Sequence, residues 1–135
     1  MKEQIFRILD ANANRAREGL RVLEDIARFI HNKKNITEQL KRERHRITSL
    51  LKKIPRGERL LLNARDSVSD VGSRVNIASE KKRDKISEIA ISNFRRTQEA
   101  IRVLEEFTKI FKGTLSRRFK AMRFRLYTME KRFGN

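Results

Sequence analysis

The stretch Asn12-Ala-Asn-Arg-Ala-Arg-Glu-Gly-Leu-Arg-Val-Leu-Glu24 returns 81 residues later as Asn93-Phe-Arg-Arg-Thr-Gln-Glu-Ala-Ile-Arg-Val-Leu-Glu105. Asn12, Arg15, Glu18, Arg21, Val22, Leu23 and Glu24 recur as Asn93, Arg96, Glu99, Arg102, Val103, Leu104 and Glu105. Self-similarity at a fixed offset is the mark of a duplicated structural unit. A weaker echo follows with a register change of two, placing Lys41, Arg44, Arg46 and Lys52 over Lys120, Arg123, Arg125 and Lys131. Each copy therefore reads as a helical hairpin, and the chain as two of them.

Working outward from the repeat, Leu9, Ala13, Ala16, Leu20, Leu23, Ala27 and Ile30 alternate spacings of four and three, the seam of a packed helix. With five glycines and one proline there is little material for β-turns, so the fold class is all-α. The breakers are residues 32–35, Pro55-Arg56-Gly57, residues 66–79 and Gly113, and they outline about five helices. The first covers about residues 2–31. The second runs from a Thr37 N-cap to Ile54, before Pro55. The third covers about 58–64, the fourth about 80–112 and the fifth about 115–132. The expected organisation is a single helical domain, residues 1–135. Repeat one spans about 2–54, a short helix and loop 55–80, and repeat two about 81–133.

The 34 Lys and Arg residues against 17 Asp and Glu leave a formal charge of +17, which points to an anionic partner. Absence of cysteine excludes a disulfide, a thiolate nucleophile and a cysteine-ligated metal. The longest apolar runs fall well short of the roughly 20 residues needed to cross a bilayer, and the N-terminus lacks a secretory layout. A soluble, cytoplasmic protein with no membrane partner is expected.

Beside the seam runs a second stripe, Ile8, Asn12, Arg15, Gly19, Val22, Ile26 and Phe29, copied as Ile89, Asn93, Arg96, Ala100, Val103, Phe107 and Ile110. An Asn and an Arg interrupt it at the same steps in both copies, with Glu18 and Glu99 three residues beyond each Arg. Unpaired amides or guanidinium groups at buried positions cost several kcal/mol. Two readings meet that demand. One is a buried Asn–Arg–Glu network across a pseudo-twofold; the other is a pocket presenting arginines to an anionic ligand.

The loop Ala64-Arg-Asp-Ser-Val-Ser-Asp-Val-Gly-Ser73 carries Asp66 and Asp70 with hydroxyls between them. They suit Mg²⁺ held by one or two carboxylates and waters. The alternative is turn capping by Asp66 or Ser67, with Gly72 supplying a positive φ. No glycine-rich phosphate loop occurs. His45, between Arg44 and Arg46 on a very basic helix, reads as a solvent or packing residue and not as a general base, and His31 as a complement to a helix end. The fifth helix carries Arg117, Arg118, Lys120, Arg123 and Arg125, which by charge alone also suits nucleic acid. Its Phe119, Met122, Leu126, Met129 and Phe133 keep core spacing, which disfavours that reading.

Three strings are more specific than composition. They are residues 10–29, beginning Asp10-Ala-Asn-Ala-Asn-Arg; Ala64-Arg-Asp-Ser-Val-Ser-Asp-Val-Gly72; and Arg96-Thr-Gln-Glu-Ala-Ile-Arg-Val-Leu-Glu-Glu-Phe107. Together with Arg123-Phe-Arg-Leu-Tyr127 they resemble the alternative, non-ribokinase-type hydroxymethylpyrimidine phosphate kinase family, a helical domain often fused to thiamine-phosphate synthase. Ala13 and Ser92 are small departures from its pattern. The resemblance implies ATP-dependent phosphorylation of 4-amino-5-hydroxymethyl-2-methylpyrimidine phosphate to the diphosphate. It makes ATP and Mg²⁺ the expected cofactors and thiamine-phosphate synthase a candidate partner, and it leaves self-association open. The chain then acts as a stand-alone kinase domain.

For that reaction Arg15 and Arg96 are candidate phosphate ligands, with Arg65, Arg21 and Arg102 as further candidates. Asp66 and Asp70 are candidates for Mg²⁺. Asn12, Asn14 and Asn93 are candidates for the aminopyrimidine or phosphate, and Glu18 and Glu99 for orienting the arginines. The acceptor is itself a largely ionised phosphate, so no strong general base is required. The competing readings are a nucleic-acid-binding helical protein and a non-catalytic pyrimidine-phosphate carrier for thiamine-phosphate synthase.

Overall fold

A computed structural model describes residues 1–76 and 85–134. Their helices are α1 (Lys2–Asp25), continued by one π-helical turn (Ile26–Ile30), α2 (Lys34–Leu51), α3 (Gly57–Ala64), α4 (Ile86–Thr108) and α5 (Gly113–Phe133). There is no strand among the described residues. The five α-helices among the described residues agree with the periodicity and the scarcity of breakers, and the fold is all-α.

Two antiparallel hairpins, α1/α2 and α4/α5, are tied in corresponding places. In the first, Arg17 reaches Thr48 at 3.1 Å and Arg44 Nε donates to Glu24 at 2.9 Å. In the second, Gln98 donates to Glu130 at 2.7 Å and Arg123 Nε to Glu105 at 3.0 Å. Glu24 and Glu105 are repeat equivalents, and Arg44 and Arg123 are the pair matched by the shifted echo. Within α1 and α4, Asn12 and Asn93 make the same bond, each donating Nδ2 to the carbonyl four residues back at 2.8 Å.

The two long helices pack against each other as the centre of the molecule. They run antiparallel: Phe6 stacks near Phe111 at 5.4 Å at one end, and at the other Phe133 meets both His31 and Phe94 at 5.0 and 5.2 Å. Where they cross, Gly19 of α1 faces Thr97, the repeat equivalent of Ala16, and a Cβ on Gly19 would collide with the Thr97 hydroxyl. A small residue is needed there because the backbones approach closely. Leu9, Ala13, Ala16, Leu20, Leu23 and Ala27 are all fully buried as the seam requires, whereas Ile30, past the crossing, is 55% exposed. On α5, Phe119, Met122, Leu126, Met129 and Phe133 are buried, as their spacing indicates.

Several local expectations are corrected. Thr37 is not an N-cap: α2 begins three residues earlier after Lys33, and the Thr37 hydroxyl donates to the Lys33 carbonyl at 2.7 Å. The end of α1 widens into the π turn, closed by His31 N–H on Ile26 O at 2.9 Å. His31 packs on Phe133, and its buried Nδ1 has no partner among the described residues, so it is a packing residue. α4 is described from Ile86 and ends at Thr108, short of the expected 112; residues 80–84 of that expectation lie outside the described residues. The part of the expected loop at 77–79 does so too.

Candidate functional site

α3 positions the loop. After α2 the chain turns through Arg56, whose φ of 60° is left-handed, and Gly57 N–H bonds the Ile54 carbonyl at 2.8 Å. A Cβ on Gly57 would lie 2.6 Å from the Leu51 carbonyl oxygen, so only glycine fits this fold-back. α3 then packs along α1 and delivers Arg65 to Asp10. Arg65 Nε and a terminal nitrogen donate to the two Asp10 oxygens at 2.7 and 2.8 Å, a two-pronged pair on a carboxylate only 5% exposed. The Asp10 hydrogen bond raises the Arg65 pKa further above its ordinary value. Arg17, half-buried nearby and bonded to Asn14 Oδ1 at 2.7 Å, is pulled the other way, chiefly by loss of solvent.

Beyond Arg65 the chain is extended and leads into two carboxylate-centred turns. Asp66 Oδ1 accepts from Ser69 N–H at 3.0 Å, and Asp70 Oδ1 accepts from Gly72 N–H at 2.8 Å. The Ser69 bond is the main reason the Asp66 pKa falls below the ordinary carboxylate value, with the Arg7 charge assisting. Asp66 caps a turn, as the alternative has it, and Asp70, which that alternative does not name, caps a second. Gly72 does not supply a positive φ, because no glycine has one; its role is the N–H it gives to Asp70.

Between this loop and the first half of α1 lies a cleft of about 480 Å³. Its α1 wall carries Arg7, Asn12, Asn14 and Arg15; its loop wall carries Arg65, Asp66, Ser67 and Asp70. Six sequence candidates thus converge: Asn12, Asn14, Arg15, Arg65, Asp66 and Asp70. Asn12 is buried, and its Oδ1 is 3.4 Å from an Arg15 nitrogen, which leaves the rest of the Arg15 guanidinium facing open space.

The other candidates are placed elsewhere. Arg21 pairs with Glu24 and Asp25, and Arg102 with Glu105 and Glu106, on the outer faces of their helices. Asn93, Arg96 and Glu99 do not line the cleft. Arg15 and Arg96 are exposed, as are Glu18 and Glu99, and neither arginine pairs with its Glu among the described residues. Glu18 instead favours the charged forms of Arg17 and Arg65. The buried Asn–Arg–Glu network is therefore overturned: the second stripe lies at the boundary, with Val22 and Phe29 exposed.

Asp10, Arg7, Gln4 and Ser67 were missed as cleft residues. A search by repeated identity hides Asp10, because its repeat counterpart is Ile91. The available signal was a carboxylate between Leu9 and Ala13 of the seam, a position that demands a cationic partner.

Among the described residues no three His, Cys, Asp or Glu side chains cluster as a metal cage. Each loop aspartate, however, accepts a backbone N–H at Oδ1, and the Ser69 side chain and Val68 backbone further stabilise the Asp66 carboxylate. Such a donor set fits a Mg²⁺ shared with water and substrate phosphate, and does not fit a self-sufficient protein site.

No solved structure matches the chain. It is 42% identical over 123 residues to a thiamine-phosphate synthase of Rhodopirellula baltica, covering 91% of this chain and 32% of that protein. It is 36% identical over 130 residues to a thiamine-phosphate synthase of Nostoc punctiforme, covering 96% of this chain and 35% of that protein. The Synechocystis counterpart of the same name is 37% identical over 126 residues. The chain thus spans about a third of the length of these relatives. The match to a single family runs from residue 7 to residue 132, taking in both hairpins, α3 and the aspartate loop, and on it the chain belongs to the ThiD2 family.

Proposed function

We propose that the protein transfers the γ-phosphoryl group of ATP to 4-amino-5-hydroxymethyl-2-methylpyrimidine phosphate, giving the diphosphate used in thiamine biosynthesis, in the cleft between α1 and the Asp66–Asp70 loop. The observation that carries this reading is the convergence of Arg7, Arg15 and Arg65 with Asp66 and Asp70 on one cleft. Joining two phosphates gathers several negative charges, and the enzyme's task is to position and neutralise them. Arg15, anchored through Asn12, and Arg7 are the phosphate ligands. Arg65 is held by Asp10 and keeps its outer edge toward the cleft. Asn14 and the free Asn12 N–H recognise polar edges of the pyrimidine.

Asp66 and Asp70 would hold Mg²⁺ through their carboxylates, supplying charge neutralisation at the transferring phosphoryl oxygens. The acceptor phosphate oxygen attacks as an anion, so the cleft needs no base and contains no histidine. The thiamine-phosphate synthase names of the relatives support this place in the sequence of reactions, since that synthase consumes a pyrimidine diphosphate.

The test is direct. Purified protein with ATP, Mg²⁺ and the pyrimidine monophosphate should yield ADP and the diphosphate in equal amounts. Arg15→Ala should lower kcat/KM by about 100-fold, as expected for loss of a charge-assisted transition-state contact. Arg96→Ala should leave activity within about twofold, since Arg96 is outside the cleft. Absence of turnover above blank overturns the proposal; substrate binding without turnover would establish the carrier reading instead.

A further inference from the structure

A second cationic centre lies away from the α1 cleft, where the outer helices of the two hairpins meet. Glu43 of α2 is only 2% exposed, and both its oxygens are engaged. Arg125 of α5 donates to them from Nε and a terminal nitrogen at 2.7 and 3.0 Å, and Arg46 from its own helix at 2.5 Å. Arg46 and Arg125 are equivalents in the shifted echo, so the pseudo-twofold brings the same residue of each repeat onto one carboxylate. Arg42 and Arg132 complete the rim of a cleft of about 320 Å³, and neither has an acidic partner among the described residues. Four guanidinium groups therefore face one carboxylate already fully used. Neighbouring hollows add Lys34, Lys41 and His45 against one carboxylate, Glu38, which pairs with Lys34 at 4.0 Å, so the cationic excess remains.

Glu43 alone cannot be the reason for this arrangement, because one two-pronged arginine satisfies a carboxylate. What it does is fix two guanidinium planes, about half exposed, with donors left over. Carboxylate-paired arginines with spare donors, plus two exposed ones at the rim, suit a compact multivalent anion. We infer that the Glu43-ordered arginine cluster between α2 and α5 is a second anion site, which takes a phosphate or diphosphate group of a small molecule and clamps the two repeats together. It stands independently of the kinase reading, because none of its residues lines the α1 cleft.

The experiment titrates inorganic pyrophosphate and phosphate into the full chain at about 0.15 M ionic strength. It follows arginine side-chain N–H resonances and calorimetric affinity. The expected result is perturbation of the Arg46 and Arg125 resonances and a rise in unfolding temperature with ligand. Arg42→Ala/Arg132→Ala should weaken that binding about tenfold, the scale of losing one to two charged hydrogen bonds, while Arg15→Ala leaves it unchanged. Both variants leave the Glu43 pairing in place. Perturbation confined to Arg7, Arg15 and Arg65, or a double variant that binds as the parent does, overturns the inference. So does a short DNA duplex that binds where pyrophosphate does not, which would assign the surface to a polymer.

Discussion

Gly19 shows what one atom decides. It carries α1 across α4 beside Thr97, whose buried hydroxyl has no hydrogen-bond partner among the described residues. Gly19→Ala should destabilise the protein by about 1–3 kcal/mol in urea unfolding, through overpacking at the crossing. Thr97→Ala removes the obstructing oxygen together with an unpaired polar group, and should fall within about 1 kcal/mol of the parent. In that background Gly19→Ala should become favourable by up to about 1 kcal/mol, because alanine is the better helix former. A change of sign between backgrounds is the measurement that checks the contact. Arg65 offers a second test at the same scale. Arg65→Lys keeps the charge but loses the two-pronged grip on Asp10, and should reduce kcat/KM about tenfold or more with helical circular dichroism unchanged. Increased hydrogen exchange at Ser69 and Gly72 should accompany it if the loop is held through this pair.

The elements follow from sequence where periodicity dictates them and depart where a tertiary partner does. The seam Leu9 to Ala27 and the Phe119 to Phe133 face were legible because burial along a helix imposes its own spacing. The start of α2 was not: no side chain caps it, so the Thr37 hydroxyl gave a false signal. The partners of Glu24 and Glu105 were not legible either, although both were seen to repeat, since a cross-hairpin pair has no local spacing. Arg44→Met should cost about 3 kcal/mol by leaving Glu24 buried without its main cation, and Glu24→Gln in that variant should recover much of the loss. Urea titrations of the single and double variants measure both. In the loop, the Asp66 pKa is lowered by the Ser69 N–H, so the turn's stabilisation is present above the ordinary aspartate value and disappears as pH falls through the lowered one. The Ser69 amide resonance should therefore titrate below pH 3.8, and in Asp66→Asn that titration should vanish.

At the scale of the whole molecule the duplication explains both what the repeat revealed and what it concealed. Identical residues mark what both hairpins need: the Asn12 and Asn93 bonds to their own helices, and the carboxylates that hold Arg44 and Arg123. The proposed cleft lies where the copies differ, because α3 packs on α1 and Asp10 faces Ile91 in the alignment of repeats. Arg96, the repeat equivalent of Arg15, accordingly does not line that cleft. The charge of +17 acts over the same scale with two opposed consequences. Self-repulsion opposes the compact state, so screening relieves it; attraction of the proposed, multiply charged substrate would accelerate encounter, and screening would weaken it. Raising ionic strength from about 0.02 to 0.2 M shortens the Debye length severalfold. The unfolding temperature should rise over that range while kcat/KM for the pyrimidine phosphate falls, with kcat nearly constant because the bound cleft excludes most of the added ions. If kcat/KM and stability instead moved together, the salt response would report folding alone, and the excess charge would have no part in recruiting substrate.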